Sequence, residues 1–158
     1  MDEINKTFGE RLRVRSCGIL IQDEKVLMVK HRYPSTLGYF WAPPGGGVNF
    51  GETTKEALIR EYKEETGLDI TVQRFMFVHE FLKPPLHGIE LFFEVTCLKE
   101  AQLLTGTDPE MAPGQQIIEQ VTFLSFEEIK QLPKEGVHQL FQFCETLEEL
   151  QQLHGLYT

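Results

Sequence analysis

Three glutamates, Glu61, Glu64 and Glu65, fall in the segment Arg60-Glu61-Tyr62-Lys63-Glu64-Glu65-Thr66-Gly67. On a helix turning about 100° per residue, Glu64 lies about −60° and Glu65 about +40° from Glu61, so the three carboxylates share one stripe. Ala57 projects into that stripe at about −40°, and Leu58 and Tyr62 stand beside it at about +60° and +100°. The acids therefore border the face a core would bury. Like charges one turn apart cost a helix a few tenths of a kcal/mol each, and more when desolvated, so a cation is expected among them. Lys63 and Arg60 project about 160° and 100° away from the stripe, although Arg60 can reach Glu64 one turn on. A solvated face balanced by Lys55, Arg60 and Lys63 is the plain alternative. The geometry favours a hard divalent cation: Mg²⁺ is usually held by a couple of carboxylates together with waters and substrate phosphates.

A helix must present these groups, and its ends are well marked. Thr53-Thr54-Lys55-Glu56 has the form of a capping box, and Gly67 is a natural stop. Before it, residues 11–22 alternate Arg11, Arg13 and Arg15 with Leu12 and Val14, then turn continuously apolar, which predicts a strand running from a sheet edge into a buried region. Asp23-Glu24 reads as a tight turn into a second strand over 25–30. Pro34, Ser35 and Gly38 mark a loop, and Phe40-Trp41-Ala42 leads into Pro43-Pro44 and the glycines 45–47, read as a turn. Two β-rich runs follow over 70–82 and 89–98, separated by Pro84-Pro85-Leu86-His87-Gly88. Residues 99–116 read as a loop, 121–124 as a short strand, and Ser125 with Glu128 as the capping box of a short helix ending before Pro133. Leu140, Phe143, Leu147 and Leu150, widened by Phe141 and Cys144, predict a closing helix over about 137–154, packed on its own sheet or, alternatively, forming a dimer seam. The pattern predicts one α/β domain over 1–158, a sandwich on a mixed sheet with its core at about 11–132.

Gly46, five residues, Glu52, seven residues, Arg60-Glu61, two residues, Glu64-Glu65, one residue, then Gly67-Leu68 is a 23-residue pattern. It closely resembles the signature of the MutT/Nudix hydrolases, with one departure: Tyr62 stands where the family usually has an aliphatic residue. A buried tyrosine needs a partner for its hydroxyl. The resemblance implies a Nudix-type α/β/α sandwich and hydrolysis of a nucleoside diphosphate linked to another moiety. It also implies Mg²⁺ (with Mn²⁺ as a substitute) held by Glu61, Glu64, Glu65 and a backbone carbonyl near Gly46, with Glu52 and Arg60 supporting them. Glycines 45–47 serve both as a turn and to let backbone approach metal and phosphate. The general base in such proteins comes from the helix or from a later loop, so Glu64 and, alternatively, Glu119 or Glu110 are the catalytic candidates.

Lys30-His31-Arg32 ends the second strand where relatives place a phosphate-contacting base, which makes Arg32 the candidate substrate ligand; a plain surface charge is the alternative. Tyr39, Phe40 and Trp41 could stack a nucleobase, but packing is the commoner use of such aromatics. Pro84, sixteen positions after Leu68, resembles the spacing of ADP-ribose-type members. The readings are thus cleavage of an ADP-ribose-like or sugar-linked nucleoside diphosphate, pyrophosphohydrolysis of a (d)NTP, or non-catalytic nucleotide binding. The clustered carboxylates speak against the last.

The chain has 158 residues and a net charge of −9, with 41% hydrophobic and 25% charged residues, a globular composition. The acidity disfavours DNA and anionic membranes as partners. Yet residues 1–99 carry 13 basic and 14 acidic residues, and residues 100–158 carry 2 and 10. The half with the signature is nearly balanced and suits a small phosphorylated substrate. Cys17, Cys97 and Cys144 lack disulfide or zinc spacing. Met1-Asp2-Glu3-Ile4-Asn5-Lys6 has acids where a secretory leader carries basic residues, and a cytoplasmic protein is expected, as a monomer or a homodimer.

Overall fold

The computed structural model describes residues 6–98, 103 and 117–158. The loop expected over 99–116, Leu103 excepted, and with it Glu110, lies outside the described residues, as do residues 1–5.

Strand β1 (Arg11–Gln22) is the spine. Its exposed first half and buried Ser16–Leu20 run reproduce the shift from alternating to continuous apolarity. β6 (Leu86–Cys97) runs parallel to it from Arg11 to Leu20 on one side. On the other side lie β4 (Gly45–Gly47), antiparallel at Arg15, Ser16 and Cys17, and β2 (Lys25–Arg32), paired only at Ile21 and Gln22. Asp23 and Glu24 both take positive φ (50° and 58°), the conformation a two-residue hairpin requires. Beyond that hairpin β2 leaves β1 and pairs with β3 (Tyr39–Ala42) and β7 (Ile118–Ser125). β5 (Ile70–Lys83) is antiparallel to β6, and β8 (Gly155–Tyr157) adds a parallel edge at Phe77–His79. The result is the expected mixed sheet. Strand pairing lengthens two predicted elements: β6 starts at Leu86 because β1 partners it from Arg11, and β7 starts at Ile118 because it pairs β2 back to His31.

Alternation along β1 and β6 divides the core in two. Leu20, Phe93 and Val95 meet Leu58 and Tyr62 of helix α1 (Thr54–Thr66) on one face. Cys17, Ile19 and Phe92 meet Phe126, Ile129, Leu140, Phe141 and Leu150 on the other. The second face is covered by α2 (Phe126–Gln131), capped by Ser125 and Glu128 as expected, and by the C-terminal segment.

That segment corrects the prediction of a helix over 137–154. It consists of single 3₁₀ turns at Lys134–Gly136 and Gln139–Gln142, the short helix α3 (Leu147–Gln152) and strand β8. Side chains impose new starts: His138 accepts the Leu140 amide at 3.1 Å, and Thr146 accepts the Glu149 amide at 3.1 Å. The apolar stripe was real as burial, for Leu140, Phe141, Cys144 and Leu150 are all in the core, but consecutive turns deliver it. Glycines 45–47, read as a turn, are instead strand β4. No helix among the described residues is long and apolar enough to cross a membrane.

Candidate functional site

The ends of α1 set its rotation. Thr53 caps it with the reciprocal Glu56 bond, the Thr53 amide donating to Glu56 Oε2 at 2.8 Å, and Gly67 closes it at φ +76°. Tyr62, the departure from the pattern, fits through a glycine. Its hydroxyl donates to Gly18 O at 2.8 Å, and a Cβ on Gly18 would stand 2.6 Å from the tyrosine ring. With Ala57, Leu58 and Tyr62 docked, Glu61 and Glu65 are carried to 5% and 4% exposure, while the Glu64 side chain stays 27% exposed.

Arg60 gathers this stripe. It donates to both oxygens of Glu52 (2.7 and 3.0 Å), to Glu61 Oε1 (2.7 Å), to Glu64 Oε2 (3.1 Å) and to Gly47 O (3.0 Å). The helical projection kept Arg60 out of the carboxylates; its long side chain folds back across them, and its planar fork serves several acceptors at once. The same guanidinium brings in Glu52, which projection could not place. Glu65 is held from the other side, accepting the Gly45 amide at 3.0 Å. β4 lies directly on the helix, because any Cβ on Gly46 would overlap the Glu61 carboxylate. The sequence candidates Gly46, Glu52, Arg60, Glu61, Glu64 and Glu65 thus form one constellation at the β4–α1 junction.

Three carboxylates share the Arg60 guanidinium and Glu65 lies on the same stripe, leaving a surplus of negative charge. Burial pushes the Glu61 carboxyl above its ordinary value, only partly opposed by Arg60, whereas hydrogen bonds from Arg60 pull Glu52 down. An all-oxygen, acidic donor set suits hard divalent cations. The α1 carboxylates are directed at Arg60 and Gly45 here rather than at one common point.

Glu119 and Arg32 are brought to each other. On β7 and β2, Glu119 lies 3.4 Å from Arg32 Nε and 3.5 Å from Lys30 Nζ. Neither ion pair reaches the Arg60 cluster. The Arg32 side chain is 68% exposed. His31 between them is not a charge at neutral pH, since burial and then Arg15 push it down to about 4. Of the aromatics, Trp41 packs in the core, and Tyr39 and Phe40 are half-buried.

A second polar group went unread in the sequence. Glu90 Oε2 lies 2.7 Å from both His79 Nδ1 and His138 Nε2, and Glu90 Oε1 lies 3.3 Å from Arg15 Nε. Among the described residues these two histidines and Glu90 are the ligand-type trio whose donor atoms lie within 4.8 Å of one another. The four residues are far apart in the chain. The available signal was an acid in the apolar run Ile89-Glu90-Leu91-Phe92-Phe93 and a histidine in Phe77-Val78-His79, where a core strand needs partners for both.

Comparison with known proteins places this geometry. The family model described as NUDIX domain matches residues 12–147. An ADP-ribose pyrophosphatase of Methanocaldococcus jannaschii is 45% identical over 97 residues, covering 60% of this chain and 56% of that protein. The chain thus spans little more than half of that relative's length. An 8-oxo-dGTP diphosphatase of Proteus vulgaris is 33% identical over 89 residues, covering 55% of this chain and 78% of that protein. A MutT NUDIX hydrolase structure from Burkholderia pseudomallei superposes with a TM-score of 0.63 at 21% identity, covering 90% of this chain and 98% of the other, a likeness of fold.

Proposed function

The chain belongs to the NUDIX family, and we propose that it is a Mg²⁺-dependent hydrolase that cleaves the diphosphate of an ADP-ribose-like or sugar-linked nucleoside diphosphate. The observation that carries this reading is the constellation knit by Arg60, with β4 seated on Glu61. Its donor chemistry fits the metal: oxygen donors only, the carboxylates in surplus over the Arg60 guanidinium, with Glu61 desolvated. Glu61, Glu64, Glu65 and the Gly46 carbonyl are the groups to hold Mg²⁺, with Mn²⁺ as substitute. Held there, such an ion would supply charge neutralisation for the diphosphate and would make water a better nucleophile.

The chain's own residues do the rest. Arg60 fixes the directions of Glu52, Glu61 and Glu64, and the Gly45 amide fixes Glu65. Glu64, the more open of the three α1 acids that face the site, is the base: its carboxylate takes the proton as a water oxygen bonds to phosphorus. The bridging P–O bond breaks and its electron pair leaves on the departing phosphate oxygen, as in other in-line displacements. Glu119, already engaged by Lys30 and Arg32, is the alternative base; Arg32, exposed, is the group to swing from Glu119 onto a substrate phosphate.

The ADP-ribose-like substrate is supported by the name of the Methanocaldococcus relative and by the Pro84 spacing. The Proteus relative's name supports the second reading, pyrophosphohydrolysis of a (d)NTP. The buried thiols of Cys17 and Cys144 support a reducing, cytoplasmic location. A panel of ADP-ribose, nucleotide sugars and ordinary and oxidised (d)NTPs, assayed with Mg²⁺, tests the reading. Two monophosphates from ADP-ribose are expected. Release of pyrophosphate from (d)NTPs alone moves the assignment to the second reading, and tight binding without turnover leaves a non-catalytic nucleotide binder.

A further inference from the structure

We propose that Arg15 is a positioning residue for the hydrolytic site, anchored by Glu90, His79 and His138 on the opposite face of the sheet. This rests on the hydrolase reading above. Arg15 occupies the middle of three strands: in register it pairs with Gly47 of β4 on one side and Glu90 of β6 on the other. Its Nη2 donates to Gly45 O at 3.3 Å and its Nε lies 3.3 Å from Glu90 Oε1. The peptide whose oxygen it holds continues into Gly46, which abuts Glu61, and the amide of the same Gly45 holds Glu65 at 3.0 Å. Two of the proposed metal ligands therefore lean on a strand of three glycines, which has no side chain of its own to fix it. Arg15 supplies that fixture.

Glu90 holds Arg15 in turn. It is 8% exposed; one oxygen faces the guanidinium and the other both imidazoles. His138 shows how the group is wired. Its Nδ1 accepts the Leu140 amide at 3.1 Å, so the neutral ring carries its proton on Nε2 and donates it to Glu90. A metal would need the Nε2 lone pair, leaving a ring without any proton, and would have to sit beside a carboxylate already facing the Arg15 cation. The trio is thus a hydrogen-bonded anchor rather than a metal centre.

The test uses the full chain with Arg15→Met, Arg15→Lys and Glu90→Gln. It reads Mn²⁺ affinity by electron paramagnetic resonance without substrate, kcat and KM with the substrate found in the panel, and the melting temperature. Outer partners of metal ligands are typically worth about 10–100-fold in affinity or activity. Arg15→Met and Glu90→Gln are expected to weaken Mn²⁺ binding and lower kcat within that range with KM little changed. Arg15→Lys, a point charge unable to span both partners, should fall between them and wild type. Ile129→Val, a core truncation on the same face, controls for lost stability and should leave Mn²⁺ affinity unchanged. Unchanged Mn²⁺ affinity in Arg15→Met would overturn the proposal, as would a rise in KM with kcat intact, which would make Arg15 a substrate contact. Stoichiometric Zn²⁺ binding lost in His79→Ala but kept in Glu64→Gln would also overturn it. Failure of the hydrolase reading itself is distinct: wild type would turn over nothing in the panel, and Glu64→Gln would bind Mn²⁺ as well as wild type does.

Discussion

Two carboxylate groups lie on opposite faces of β1, one with a surplus of negative charge and one with its acid matched by an arginine. At the β4–α1 junction, Glu52, Glu61 and Glu64 share Arg60, and Glu65 beside them accepts the Gly45 amide. Across the sheet, the lone Glu90 has an arginine and two histidines. Both groups contain well-buried acids, so burial alone separates nothing. The difference shows in what the surroundings do to each acid. Burial raises Glu61 because Arg60, with a smaller contribution from Arg15, compensates it incompletely. Burial would raise Glu90 too, but His138, the hydrogen bond from His79, and Arg15 outweigh it and hold that carboxyl well below the usual range. An acidic surplus asks for a cation from outside the chain; a satisfied acid is architecture.

Mutations that treat the two groups alike should therefore give opposite results. The largest effect is expected at the base: Glu64→Gln should lower kcat by about 10²–10⁴-fold while leaving stability within about 0.5 kcal/mol, checked by steady-state kinetics beside urea unfolding. Glu90→Ala should do the reverse in its first consequence, destabilising the fold by about 3–5 kcal/mol because it removes the common partner of two buried imidazoles and the counter-charge of Arg15. A melting temperature equal to wild type in Glu90→Ala would erase the contrast.

Acid should sharpen it. Glu90 has a depressed folded-state pKa, so its contribution is fully present above the unfolded carboxylate value, about 4.3, and is lost as pH falls toward the lower folded value. Wild type should lose stability steeply on that acid limb, and Glu90→Gln, less stable at pH 7, should lose less of it; urea midpoints at several pH values measure both. The smallest effect concerns how α1 is seated. Tyr62→Phe removes only the hydrogen bond to Gly18 O and should cost about 0.5–1.5 kcal/mol, with kcat nearly unchanged.

What could be read in the sequence follows from the range of the interactions involved. The α1 cap, its stop at Gly67 and the shared stripe of Glu61, Glu64 and Glu65 are set within one or two helical turns, so spacing alone predicted them. The hairpin at Asp23-Glu24 and the Ser125 cap were legible for the same reason. Helical projection locates a Cβ and so allows Arg60 only Glu64, whereas its guanidinium sits several bonds away and also reaches Glu52, Glu61 and Gly47 O; its supporting role was expected from the resemblance alone. The C-terminal segment departs from the predicted helix because a 3.6-residue apolar rhythm also arises from successive turns packed on one surface; the local spacing of Thr146 and Glu149, like that of Ser125 and Glu128, was the available signal for a new start. Tyr62 with Gly18, and Glu90 with Arg15, His79 and His138, join residues from separate strands and segments. No local spacing encodes such pairings, although a charged residue in an apolar strand signals that a partner must exist.

The proposed hydrolysis of a nucleoside diphosphate derivative depends on the α1 carboxylates and a divalent cation. Phosphorus NMR of ADP-ribose incubated with Mg²⁺ and either wild type or Glu64→Gln tests it most directly. Wild type is expected to replace the diphosphate resonances with two phosphomonoester resonances, a chelator to stop this, and Glu64→Gln to leave the diphosphate intact over the same time. Equal conversion by wild type and Glu64→Gln, or conversion undiminished by the chelator, would contradict it.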